Sequence, residues 1–183
     1  MLNKSRRQKK SNTRSKTRSK TRSRSKPKIR LRRSKRKTNK KGGQTPATQL
    51  SINYANIGIA GQELSRDQYI NPPRINVSNY AANFIITMTD PDAPAGTWTH
   101  YVAMLKPNGS VVSKPYYEYE PPRPPPKTGT HHYIFRAYAA TGTADTLRNK
   151  GNLPGNEYYT QVLEPFMRNN KPLAEEKAFT VTS

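Results

Sequence analysis

Along Leu50-Ser51-Ile52-Asn53-Tyr54, apolar and polar residues alternate with the two-residue period of a half-buried strand. Phe84-Ile85-Ile86-Thr87-Met88-Thr89 is instead a nearly continuous run of β-branched, aromatic and apolar side chains that leads directly into Asp90. His100 to Leu105, Tyr133 to Ala139 and Ala178-Phe179-Thr180-Val181-Thr182 predict three further strands. Proline and glycine clusters separate them, most densely at Pro121-Pro122-Arg123-Pro124-Pro125-Pro126. Helical spacing shows once, in an apolar stripe of Tyr159, Val162, Leu163, Phe166 and Met167. Asn156 is its expected N-cap, and Glu157 suits the first turn. Short strands bounded by turn signals, with one late helix, predict a mainly β, antiparallel domain with a small helical addition.

Charge divides the chain in two. Residues 1–44 hold 21 of the 33 Lys and Arg and none of the 11 acidic residues, which leaves 12 basic against 11 acidic in residues 45–183. The formal charge of +22 therefore belongs to an arm, and the rest is an almost neutral domain long enough for a single core. The arm carries the repeat Thr13-Arg14-Ser15-Lys16, Thr17-Arg18-Ser19-Lys20, Thr21-Arg22-Ser23, followed by a basic cluster over residues 26–37. With so few apolar groups and so much self-repulsion it is expected to be disordered, up to a Gly42-Gly43 hinge. Such an arm suits salt-sensitive, sequence-independent contact with nucleic acid, a nuclear import signal, or an anionic membrane surface. It has no aromatic residue for base stacking. Phosphate on its Ser and Thr residues would cancel the charge.

There is no cysteine, which excludes disulfides and thiolate chemistry. No apolar run is long enough to span a bilayer, and no apolar stretch follows Met1-Leu2 to make a secretory signal. A cytoplasmic or nuclear location is the expectation, or a virion if the chain is viral.

All three histidines fall in two short segments, Asp90 to His100 and Gly129 to Tyr138. Imidazoles and a phenol can donate to phosphate oxygens, and a carboxylate can orient an imidazole. A strand extended back to His131 places His131, Tyr133 and Phe135 on one face, with His132, Ile134 and Arg136 on the other. Ile86, Met88 and Asp90 likewise share a face. Convergence of these groups needs the two strands to be neighbours, which spacing alone leaves open. His100 is open between a pocket group and a strand-face histidine satisfied by a backbone carbonyl. Asp90 and Asp92 are open between ligand contacts and turn acceptors, and Tyr133 has an alternative role as a sheet aromatic.

Asp90-Pro91-Asp92-Ala93-Pro94, Trp98-Thr99-His100 and Gly129-Thr130-His131-His132-Tyr133, in that order, resemble the motifs of the phosphatidylethanolamine-binding protein family, the Raf kinase inhibitor protein-like proteins. The resemblance covers about residues 48–182. It implies a large central antiparallel sheet, a second smaller sheet and one or two short helices. It also implies an anion pocket lined by Asp90, His100, Pro126, His131 and Tyr133, and a cis Ala93–Pro94 bond. Thr99 stands where the family commonly has a second histidine, and His132 where it commonly has arginine.

The expected function is non-catalytic binding of a phosphoryl or phospholipid head group, or of a phosphorylated partner, in that pocket. His100 and His131 would donate to the phosphoryl oxygens, with no cofactor and no metal. No Gly-x-Ser-x-Gly elbow supports a nucleophile. The alternative is a nucleic-acid-associated or scaffolding protein in which the basic arm carries the function and the domain is passive.

Overall fold

A computed structural model describes residues 46–142, 144–149, 151–174 and 177–183. The basic arm of residues 1–44, with the expectation of disorder attached to it, lies outside the described residues. Among the described residues, seven strands form two sheets. The smaller sheet joins β1 (Gln49–Tyr54), β2 (Ile57–Gly58) and β3 (Arg74–Ser78) in the order β2-β1-β3. The larger joins β4 (Phe84–Asp90), β5 (Trp98–Leu105), β6 (Thr130–Ala139) and β7 (Lys177–Thr182) in the order β5-β4-β6-β7. Neighbouring strands in both sheets run antiparallel. The mainly β, antiparallel fold is thus as the residue pattern predicts, and the central and lesser sheets are as the resemblance implied.

Strand β4 explains its own composition. Every residue from Phe84 to Asp90 is buried, because both faces of the large sheet are covered. Phe84, Ile86 and Met88 meet the small sheet through Leu50, Ile52, Tyr54, Ile75 and Val77. Ile85 faces the other way, with Val102 and Tyr138, into a cluster that includes Leu147, Tyr158, Leu163 and Phe166 of the helical segments. A strand buried on two faces loses polar alternation and reads as a continuous apolar run.

The C-terminal helical run departs from expectation at its start and in its middle. Pro154, not Asn156, is the N-cap, and Gly155–Tyr158 forms the first helical segment. A Cβ on Gly155 would stand 2.3 Å from Trp98 Nε1, so only glycine lets the helix begin against the indole. Asn156 turns its amide to the Ala95 carbonyl instead, at 3.5 Å. A π turn follows over Tyr159–Leu163, and an α-helical segment over Glu164–Asn169 completes the run. Pro165 has no N–H to return to the preceding turn, and a widened turn accommodates that loss. Tyr158 and Leu163, five positions apart, both end up buried as a result.

The loop after β4 also differs. Among the described residues no peptide bond is cis, so the Ala93–Pro94 bond is trans and not cis as the resemblance implied. The turn closes through Gly96 N–H to the Ala93 carbonyl at 3.0 Å. Pro94 takes the second turn position, where its fixed φ serves a trans bond, and Gly96 supplies a φ of +92°.

Candidate functional site

β4 lies between β5 and β6, so the ends of these three strands bring Asp90, His100, His131 and Tyr133 around one cavity of about 550 Å³. That volume lies within the range of small-ligand sites. Ala93, Pro94 and Ala95 of the post-β4 loop form part of its wall, and Pro121, Pro124 and Pro125 form another part. Pro126, expected in this position, is exposed and outside the lining; Pro124 and Pro125 are there instead. In an unbroken proline run nothing in the sequence marks which ring turns inward.

His100 reaches the cavity through a β-bulge. The β4–β5 register passes from Met88–Tyr101 to Thr89–Thr99, leaving His100 as the extra residue. Strict alternation would face His100 away from Tyr101, and the bulge re-aims it, as bulges beside functional sites do. Its ring lies edge-on to Tyr133 with centroids 5.1 Å apart. Its backbone carbonyl accepts the Glu120 N–H at 2.8 Å, and its Nδ1 donates to the Glu120 carbonyl at 2.8 Å. Both sequence readings of His100 therefore hold together: it lines the cavity and a backbone carbonyl satisfies it. Burial pushes the imidazole below its ordinary value, only partly offset by the Glu120 carbonyl and the nearby carboxylates of Asp90 and Glu120. A neutral ring with its proton on Nδ1 offers a lone pair at Nε2, not a donor.

Asp90 and His131 form a buried pair. Asp90 Oδ2 accepts from His131 Nδ1 at 2.7 Å, with side-chain exposures of 4% and 1%. Asp90 Oδ1 accepts the Asp92 N–H at 2.9 Å, so one carboxylate sets both the loop and the imidazole. His131 Nε2 lies 2.8 Å from Thr128 Oγ1. The Thr128 hydroxyl donates to the Pro125 carbonyl at 2.6 Å, and a carbonyl can only accept. Both His131 ring nitrogens are therefore already engaged, Nδ1 by Asp90 and Nε2 by Thr128. The sequence expectation of two histidines free to donate to a ligand is not the arrangement found here.

Tyr133 stacks on Phe179, with centroids 5.1 Å apart and planes 22° apart, and is fully buried. Its hydroxyl has no hydrogen-bond partner; among the described residues only Thr99 Oγ1 shares that condition. Burial, and then the negative charge of Asp90, push this phenol well above its ordinary value, so it remains a proton donor. His132 points outward and its backbone N–H and Nδ1 both bond Asp92 Oδ2 at 2.8 Å. Burial tends to raise the Asp92 carboxyl, but these bonds from the His132 side chain and backbone outweigh it and hold the group low.

Two lining residues escape a motif-based reading. Glu120 Oε2 accepts from Trp98 Nε1 at 3.0 Å, and Oε1 accepts from the Tyr117 hydroxyl at 3.0 Å. With its two backbone bonds to His100, this residue ties the loop to the edge strand and fixes the indole as a cavity wall. Arg123 adds a positive charge to the lining. Among the described residues no group of three or more His, Asp and Glu side chains is placed to hold a metal ion. No helix among them is long and apolar enough to cross a membrane.

The model of the phosphatidylethanolamine-binding protein family matches residues 40–181. The chain belongs to this family. Among family structures, the phosphatidylethanolamine-binding protein of Plasmodium vivax superposes with a TM-score of 0.60 at 17% identity, over 73% of this chain and 84% of that one. A carboxypeptidase Y inhibitor, solved in complex with its cognate proteinase, superposes with a TM-score of 0.56 at 18% identity, over 74% and 83%. In sequence, a UPF0098 protein of Pyrococcus abyssi is 34% identical in an alignment 97 residues long that covers 40% of this chain and 54% of the relative. A UPF0098 protein of Pyrococcus horikoshii matches equally well, with 49% of its length covered. This member of the family spans about half the length of these two relatives.

Proposed function

We propose that the cavity binds the head group of a phosphoryl ligand of the phosphorylethanolamine type, without catalysis. The observation that carries this reading is the Tyr133 hydroxyl, a fully buried donor with no partner in a cavity shared with Asp90, His100 and His131. A phosphoryl oxygen is the acceptor it lacks. His100 contributes by taking up a proton at Nε2 as the anion arrives, because a bare lone pair repels a phosphoryl oxygen. The amine end meets the Glu120 carboxylate beside the Trp98 face, a pairing that suits an ammonium group. Among the described residues that line the cavity there is no Ser, Thr or Lys to serve as a nucleophile, which favours binding over hydrolysis.

The arm of residues 1–44 supplies a second element of the proposal, contact with nucleic acid or import into the nucleus. Its 21 basic residues and lack of acid favour this element. Calorimetric titration of the full chain with phosphorylethanolamine, inorganic phosphate and ethanolamine tests the head-group reading. The zwitterion should bind more tightly than either half. Equal affinity for phosphate alone would remove Glu120 and Trp98 from recognition, and no saturable binding would overturn the reading.

A further inference from the structure

The Thr128 hydroxyl already occupies the one His131 nitrogen that a ligand could use. His131 Nδ1 is committed to Asp90 Oδ2 at 2.7 Å, and Nε2 shares a hydrogen bond with Thr128 Oγ1 at 2.8 Å. The arrangement is held from the other side as well. The Pro125 carbonyl accepts the Thr128 hydroxyl at 2.6 Å and the Thr128 backbone N–H at 3.3 Å. The backbone on either side of Thr128 is left-handed, with φ of +68° at Lys127 and +85° at Gly129. Glycine adopts that conformation freely, but lysine does so at a cost. A residue with a Cβ is thus held in an uncommon conformation beside the very hydroxyl that caps the histidine.

We propose that Thr128 is an internal competitor of the ligand: its hydroxyl fills the oxyanion position on His131 in the free protein, and a bound phosphoryl oxygen displaces it. This rests on the head-group reading above. Exchange keeps a hydrogen bond at Nε2, since one oxygen partner replaces another. The 127–129 turn moves away when the ligand binds, and Lys127 is released from its left-handed backbone. Thr128 is exposed, so the hydroxyl can leave without opening the core. Affinity is therefore set in part by a residue outside the three motifs, at a position where the hydroxyl is the operative group.

The test is titration of full-length wild type, Thr128→Ala and Thr128→Ser with phosphorylethanolamine, with the His131 imidazole ¹⁵N resonances followed throughout. Thermal melts confirm that each variant is folded. Removing the competitor should tighten binding about fivefold in Thr128→Ala, the factor that ~1 kcal/mol carries. Thr128→Ser keeps the hydroxyl and should match wild type. The His131 Nε2 resonance of Thr128→Ala before ligand should differ from wild type, and the two should coincide at saturation. Saturable wild-type binding with equal or weaker affinity in Thr128→Ala overturns the competitor and leaves the head-group reading standing. Absence of binding in all three overturns both.

Discussion

Replacing Tyr133 by phenylalanine should make the free protein more stable and the ligand complex weaker. The Tyr133 hydroxyl is buried and unpartnered, and leaving such a group unmatched costs roughly 1–3 kcal/mol. Phenylalanine keeps the stacking on Phe179 and the edge contact with His100, both at 5.1 Å between centroids. Only the orphaned oxygen is lost, so the variant should gain about 1–3 kcal/mol. At about 2–4 °C for each kcal/mol in a domain of this size, its Tm should rise by several degrees. The same oxygen is the donor assigned to a charged phosphoryl acceptor, a bond of about 1.5–3 kcal/mol. Affinity for phosphorylethanolamine should fall about 10- to 150-fold. Urea unfolding measures the first effect and calorimetric titration the second. A Tyr133→Phe protein less stable than wild type, with unchanged affinity, would refute the reasoning. It would mean that the hydroxyl is satisfied in the fold and faces no ligand.

Other consequences are equally specific. His100 is held below its ordinary value by burial, so anion affinity should rise as pH falls below about 6.5, by at most ~tenfold per pH unit for one proton. Affinity flat between about pH 5 and 8 would exclude proton uptake at His100. Stability should move the opposite way in the free protein: the unfolded chain binds the His100 proton first, so stability is full above about pH 6.5 and declines below it, by at most ~1.4 kcal/mol per unit from this group. Urea midpoints across pH, for wild type against His100→Gln, isolate that contribution. Gly155→Ala places a Cβ 2.3 Å from Trp98 Nε1 and should cost about 1–3 kcal/mol while shifting the indole and weakening ligand binding. Trp98 is the single tryptophan, so its fluorescence reports the displacement. For the arm, a log–log plot of nucleic-acid affinity against salt should fall steeply, with each phosphate contact adding about 0.9 to the slope on duplex DNA. A flat plot would exclude electrostatic contact.

Much of the architecture was legible because burial on two faces and alternation on one leave different marks. β4 showed itself through Phe84-Ile85-Ile86, and β1 through the alternation of Leu50, Ile52 and Tyr54. Other signals were present but faint. Arg74-Ile75-Asn76-Val77-Ser78 alternates fully and forms β3. Ser65 and Gln68 form a capping box on the short helix Arg66–Tyr69, whose four residues are too few to show an apolar stripe. The π turn could not be read, since Pro165 inside the expected helix signals an interruption but not the form it takes.

At the site, residue types were legible and hydrogen-bond roles were not. Asp90, His100, His131 and Tyr133 all line the cavity. Donor and acceptor assignments depended on Glu120 and Thr128, which act from loops whose path no periodicity encodes. The bulge at His100 had the same character, because a single skipped pairing leaves no trace in composition.

The most direct measurement is a crystal structure of the full chain with phosphorylethanolamine. The account predicts a phosphoryl oxygen within hydrogen-bonding distance of the Tyr133 hydroxyl, with the amine toward Glu120 and Trp98. A ligand bound with its phosphoryl group away from Tyr133, or a cavity left empty at saturating ligand, would contradict it.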